Sequence, residues 1–185
     1  MSDGGDFLRR LVALLDQAQI PHMVAGSFAS TLHGTPRSTQ NIDLVIDPNG
    51  PALFAFVAGL APSEYYASDT AARDALLRRS QFNVIDMATG WKADLIVRKA
   101  RPYSVEEFRR RTQERILGVD VFVATPEDTI LTKLEWAAMS GSERQLRGVT
   151  GIVEVKRGEL DQAYIERWAK ELGVLDAWRR LNCSE

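Results

Sequence analysis

Val24-Ala-Gly26-Ser27-Phe-Ala-Ser-Thr-Leu-His33-Gly34-Thr-Pro36-Arg37-Ser-Thr39-Gln-Asn41-Ile-Asp43-Leu-Val-Ile46-Asp47 is the stretch on which the fold turns. A short apolar run ends at Gly26-Ser27, and residues 27 to 33 then read as a short helix stopped by Gly34 and Pro36. Residues 35 to 40 are loop. Ile42 to Ile46 follows as a strand whose Ile, Leu, Val, Ile content predicts burial on both faces, as in a parallel or mixed sheet. Side chains alternate along a strand, so Asn41 and Asp43 project to one face, with Asp47 a candidate to follow them.

Upstream, Phe7, Leu8, Leu11, Leu14, Leu15 and Ala18 recur at helical spacing and predict an amphipathic helix over residues 6 to 19. Pro21 breaks it before a buried strand over 22 to 25. Downstream, a Pro-Asn-Gly-Pro turn starts a helix over 53 to 60, a minor strand covers 63 to 67, and a helix runs from Asp69 to Arg79. Strands at 82–87 and 92–97 share a hairpin-like connection, and 115–123 reads as a second hairpin turning at Gly118. Ser104 and Glu107 have capping-box spacing for a helix to about Arg111. Thr125-Pro-Glu-Asp128 is a helix start, with Thr at the N-cap and Pro at N1, for a helix reaching about Ser140. Helical segments follow to the C-terminus, with a break expected near Gly148 or Gly151. The fold class expected is α/β, a central mixed sheet flanked by helices. The expected domains are an α/β core over 1–124 and a helical segment over 125–185 packed on it.

The totals exclude several classes. A net charge of −2 argues against a broad basic surface for nonspecific nucleic-acid binding. The single Cys183 excludes an internal disulfide and a cysteine-only metal site, and fits a reducing compartment. No apolar run reaches the ~18 residues needed to span a bilayer, and no basic n-region of a secretory signal is present. A cytoplasmic location without membrane partners is the expectation.

Asn41 and Asp43, two oxygen ligands at spacing two, suit a hard divalent cation such as Mg²⁺ or Mn²⁺. Asp94 interrupts another apolar strand, Lys92-Ala-Asp-Leu-Ile-Val97. A carboxylate buried in a sheet is costly unless a cation or hydrogen bonds compensate it. The alternative for each acid is a strand end, solvated or capping a turn. Gly26-Ser27 follows a strand and opens a helix, where backbone N–H groups and the helix dipole favour phosphate. Arg37 and Thr39 could add phosphate or ribose contacts; as ordinary loop polarity they would add nothing. Lys133 lies among Ile130, Leu131, Leu134 and Trp136, so it either snorkels or reaches a phosphate. His22 and His33 lack the companions of a transition-metal site. Trp136, Trp168 and Trp178 read as core, and Arg109 to Arg111 as a solvated helix face or a contact to an RNA backbone.

Together these pieces resemble the nucleotidyltransferase superfamily of the DNA polymerase β type, specifically AbiEii/AbiGii-like toxin nucleotidyltransferases and their small relatives. The resemblance rests on Gly26-Ser27, Arg37-x-Thr39-x-Asn41-x-Asp43, Asp94, and Pro126-Glu-Asp-Thr-Ile-Leu-Thr-Lys133, and covers about residues 8 to 155. It implies transfer of a nucleoside monophosphate from an NTP to an acceptor hydroxyl on an RNA end, a protein or a small molecule, with Mg²⁺ as cofactor. By the same resemblance, Asp43 and Asp94 are catalytic and, with Asn41, hold metal. Gly26 and Ser27 bind the triphosphate, and Lys133 neutralises phosphate charge. A toxin–antitoxin or phage-defence role with an antitoxin partner is implied as well, while base preference and oligomeric state stay open. The chain departs from the pattern at Asn41, where the family carries an acid, and at Gly148, where relatives often carry one. A nucleotidyltransferase-like protein that binds a nucleotide or partner without turnover is therefore the competing expectation.

Overall fold

The computed structural model describes residues 3–36 and 38–182; Arg37 and Cys183 fall outside the described residues. The chain divides into two compact units, Met1–Phe28 with Ser38–Val123, and Ala29–Arg37 with Ala124–Glu185.

The first unit opens with α1 (Asp3–Gln17), β1 (His22–Val24) and the start of α2 (Gly26–His33). It resumes with β2 (Asn41–Ile46), α3 (Gly50–Gly59), β3 (Tyr65–Ala67), α4 (Asp69–Arg78), β4 (Gln81–Asp86), β5 (Lys92–Val97), α5 (Pro102–Arg110), β6 (Thr112–Ile116) and β7 (Val119–Val123). The strands form one mixed sheet in the order β3-β4-β5-β2-β1-β7-β6. β2 runs parallel to β5 and antiparallel to β1, so the α/β expectation with a mixed central sheet holds.

Burial along β2 alternates. Ile42, Leu44 and Ile46 are fully buried, whereas Asn41, Asp43 and Val45 are half-buried. The expectation of burial on both faces is therefore corrected: one face of this central strand is core and the other carries the polar residues. Helix α1 buries its apolar stripe, with Phe7, Leu8, Leu11 and Leu15 wholly inaccessible, each such side chain worth about 2 kcal/mol.

Polar anchors fix the turns. Asp86, at the end of β4 and 1 % exposed, accepts from the Ala88 amide at 3.2 Å, the Thr89 hydroxyl at 2.8 Å and the Arg10 guanidinium at 2.8 Å. The β4–β5 turn is thereby tied to α1 through a half-buried, charge-assisted bond. In the β6–β7 hairpin Leu117 and Gly118 both take positive φ, 51° and 79°, as a two-residue primed turn requires. The capping box expected at Ser104 does not form. α5 starts two residues earlier, at Pro102, and the buried Ser104 hydroxyl accepts from Arg101 Nε at 3.0 Å.

The second unit continues α2 and contains α6 (Pro126–Ser140), α7 (Glu143–Val155), α8 (Gln162–Glu171) and α9 (Leu175–Asn182). α6 starts as its sequence dictates: Thr125 accepts from the Asp128 amide at 3.2 Å, and Pro126 takes the first turn, where no amide is needed. Asp128 is fully buried because the Thr125 and Tyr164 hydroxyls donate to its two oxygens at 2.8 and 2.6 Å. His33 is buried and structural: its Nε2 donates to the Ala124 carbonyl at 2.7 Å, which requires the proton on that nitrogen.

Two expectations fail in this unit. α7 runs unbroken through Gly148 and Gly151. Each glycine costs a helix about 1 kcal/mol, but a side chain would clash at Gly151 and be tightly crowded at Gly148. A Cβ on Gly151 would lie 2.8 Å from Thr35 Oγ1, and one on Gly148 would lie 3.1 Å from Lys133 Cδ, Cε and Nζ. Close approach, with Val149, Ile152 and Val153 buried, outweighs propensity. Trp136 is 46 % exposed rather than core, while Trp168 and Trp178 are buried as expected. Trp136 points away from the α6 stripe of Ile130, Leu131 and Leu134, all fully buried. Among the described residues, no helix is long and apolar enough to cross a membrane.

Candidate active site

At the middle of the sheet Asn41 stands in register with Lys92, and Asp43 with Asp94, on adjacent parallel strands. Strand period two and parallel register place all four side chains on one face. Hydrogen bonds knit them together. Asn41 Nδ2 donates to Asp43 Oδ1 at 3.2 Å and to Asp94 Oδ2 at 2.9 Å. Lys92 Nζ lies 2.9 Å from Asp94 Oδ1. The two acids are thus side by side in one polar cluster, and Asp94 is only 9 % exposed.

Gly26 and Ser27 close the cluster from β1. Gly26 adopts φ +58°, and a Cβ there would run into the Asp43 carboxylate, so only glycine lets the chain pass. The Ala25 amide donates to the Asp43 carbonyl at 2.8 Å, and the Ser27 amide to Asp43 Oδ2 at 3.3 Å. This Ser27 amide, at the start of α2 and open to phosphate on the sequence reading, is held by Asp43 instead.

The other candidates fall out differently. Thr39 serves the backbone: its hydroxyl accepts from the Asn41 amide at 3.1 Å and donates to the Asn41 carbonyl at 3.3 Å, setting the start of β2. Asp47 does not follow Asn41 and Asp43; beyond the strand end it accepts from Arg98 Nη2 at 2.9 Å. Lys133 belongs to the second unit, is 6 % exposed and donates to Gln145 Oε1 at 3.1 Å. Arg37 lies outside the described residues. Two neighbours of Asp94 escaped the sequence reading. One is Lys92; the other is Asn83, opposite Asp94 on β4. Spacing two from Asp94 was the signal for Lys92, which as a strand lysine reads as surface.

The donor set fits a hard divalent cation. Among the described residues no three His, Cys, Asp or Glu side chains gather around such a site, and a third oxygen beside the two acids would come from Asn41. Asn41 Oδ1 is buried and has no hydrogen-bond partner, an acceptor left over beside two carboxylates. Half a turn of the amide exchanges that oxygen with Nδ2 at little steric cost.

Sequence comparison matches the chain to no protein-family model and to no curated protein. Solved structures are similar. The antibiotic-resistance factor ANT(2'')-Ia has a TM-score of 0.59 at 12 % identity, over 95 % of this chain and 96 % of that one. An antigenic nucleotidyltransferase-like protein from Paracoccidioides brasiliensis has a TM-score of 0.55 at 15 % identity, over 95 % and 91 %. The lincosamide antibiotic adenylyltransferase LnuA, with lincomycin bound, has a TM-score of 0.55 at 10 % identity, over 84 % and 98 %. At such low identity the likeness speaks for architecture, and it matches the sheet and helices described above: the chain has the nucleotidyltransferase fold.

Proposed function

We propose that the protein is a divalent-cation-dependent nucleotidyltransferase that moves a nucleoside monophosphate from an NTP to an acceptor hydroxyl. The observation that carries this reading is the pairing of Asp43 with Asp94 in register on parallel strands, with Asn41 between them and the Gly26-Ser27 turn against Asp43. Asn41, Asp43 and Asp94 hold the cation. Bound Mg²⁺ or Mn²⁺ supplies charge stabilisation at the attacking and leaving oxygens.

The chain's own residues do the rest. The acceptor oxygen bonds to the α-phosphorus, the bond to the bridging oxygen breaks, and pyrophosphate leaves. The hydroxyl proton passes to the Asp94 carboxylate. Gly26 and Ser27 receive the triphosphate, the Ser27 amide exchanging Asp43 for a phosphate oxygen. The resemblance assigns Lys133 to neutralising phosphate charge; that role rests on the sequence alone.

Small polyhydroxylated molecules are the acceptor class favoured here. ANT(2'')-Ia, solved in complex with adenylyl-2''-tobramycin, is similar along 97 % of this chain and 98 % of its own. An RNA end or a protein hydroxyl would instead make the protein a growth inhibitor of the toxin–antitoxin kind, located in the cytoplasm with an antitoxin partner. The test is a scan of four α-labelled NTPs with Mg²⁺ or Mn²⁺ against aminoglycosides, lincosamides, total RNA and cell protein. Label is expected on a small-molecule acceptor; label on RNA or protein would move the assignment to the toxin class. No label anywhere would leave the second reading, a nucleotide-binding protein without turnover, which Asn41 in place of an acid favours.

A further inference from the structure

We infer that Lys92 is a built-in counterion of this site, holding Asp94 until a divalent cation enters with the triphosphate, and then turning onto that triphosphate. The inference rests on the nucleotidyl-transfer reading above and adds a positioning residue to it.

In the cluster three of the four carboxylate oxygens have a hydrogen-bond donor and the fourth has an ion-pair partner. Asp43 Oδ1 and Asp94 Oδ2 accept from Asn41 Nδ2 and Asp43 Oδ2 from the Ser27 amide, while Asp94 Oδ1, buried without a hydrogen bond, has the Lys92 ammonium 2.9 Å away as its ion-pair partner. A cation arriving alone must therefore turn the Asn41 amide and displace the Lys92 ammonium. In return it meets two carboxylates whose charge Lys92 has half neutralised. Its affinity for the protein alone is low.

A cation arriving on a triphosphate meets a different balance. The displaced ammonium gains a new anion on the same face, since Lys92 is opposite Asn41 in the β2–β5 register. Accessibility permits the exchange: the Lys92 side chain is 39 % exposed and the Asp94 side chain 12 %. The acid is fixed, and the lysine, a point charge on a flexible stem, is the member free to swing. Asn83 and Ile85, the β4 residues opposite Asp94 and Lys92, bring no charge of their own.

Removing the ammonium must then act in opposite directions on the two ligands. Free Mn²⁺ is measured by electron paramagnetic resonance during titration of wild type, Lys92→Met and Lys92→Arg, with and without a non-hydrolysable ATP analogue. Binding of the labelled analogue is followed in parallel. In Lys92→Met, Mn²⁺ alone is expected to bind about fivefold tighter and the analogue about fivefold weaker, the scale of one partly exposed ion pair. Lys92→Arg keeps the charge and stays near wild type. Mn²⁺ binding unchanged or weakened in Lys92→Met overturns the inference, and Lys92→Gln repeats the test should the methionine variant fold poorly. Wild type binding both ligands with no change in either Lys92→Met or Lys92→Gln overturns the counterion role alone. No binding of Mn²⁺ or analogue by any variant overturns the nucleotidyltransferase reading with it.

Discussion

Asp43→Asn is expected to lower nucleotidyl transfer by roughly a thousandfold, about 4 kcal/mol of transition-state stabilisation, without loss of fold. Asparagine keeps the volume of Asp43 and an oxygen for the Ser27 amide, so the Gly26 turn can stay closed over it. What disappears is one of two adjacent negative charges, each needed only when a cation and a developing phosphate charge are present. In the cation-free protein those charges repel, and the variant should melt at or above the wild-type temperature. Thermal denaturation beside an initial-rate assay checks both halves. Lost activity with a melting temperature lowered by many degrees would place Asp43 among structural residues instead.

Asn41→Asp is the second large effect, and it runs the other way. A third carboxylate in place of the orphaned amide oxygen should tighten Mn²⁺ about tenfold and raise transfer by a similar factor. The cost falls on the cation-free state. The amide that donates to both acids becomes an acid among acids, and about 1–3 kcal/mol of stability goes with it, a melting decrease of roughly 2–10 °C for a chain of this length. Added Mn²⁺ should restore the melting temperature. Transfer unchanged or lowered in Asn41→Asp would mean that the asparagine is the adapted ligand and that an acid at this position is not missed.

The elements of the first unit were legible because their signals are local. Pro21 and the Gly26 turn bracket β1, and Ile42 to Ile46 can only be a buried strand. The order of the sheet was not legible. β1 sits between β2 and β7, a partner almost a hundred residues away, and pairing of three buried residues leaves no periodicity to read. Glycines misled where packing overrules propensity: Gly148 and Gly151 read as helix breaks, but lie where Lys133 crowds and Thr35 blocks a side chain.

The site divides the same way. Asp43 and Asp94 stood out as acids in apolar strands, and the register of β2 and β5 puts them together. Thr39 was read as a ligand contact, and the structure spends its hydroxyl on the backbone of Asn41. Lys92 escaped notice because a lysine at a strand start is ordinary in sequence. Only the parallel register shows that its ammonium reaches Asp94.

The central claim is that the α-phosphorus, and no other, is transferred. The protein is incubated with Mg²⁺, the acceptor found in the scan and one NTP labelled in parallel at the α- or the γ-phosphate. The account predicts α-label on the acceptor and γ-label released as pyrophosphate, in equal amounts. Transfer of the γ-label to the acceptor, or release of γ-label as inorganic phosphate with none of the α-label moved, would contradict it.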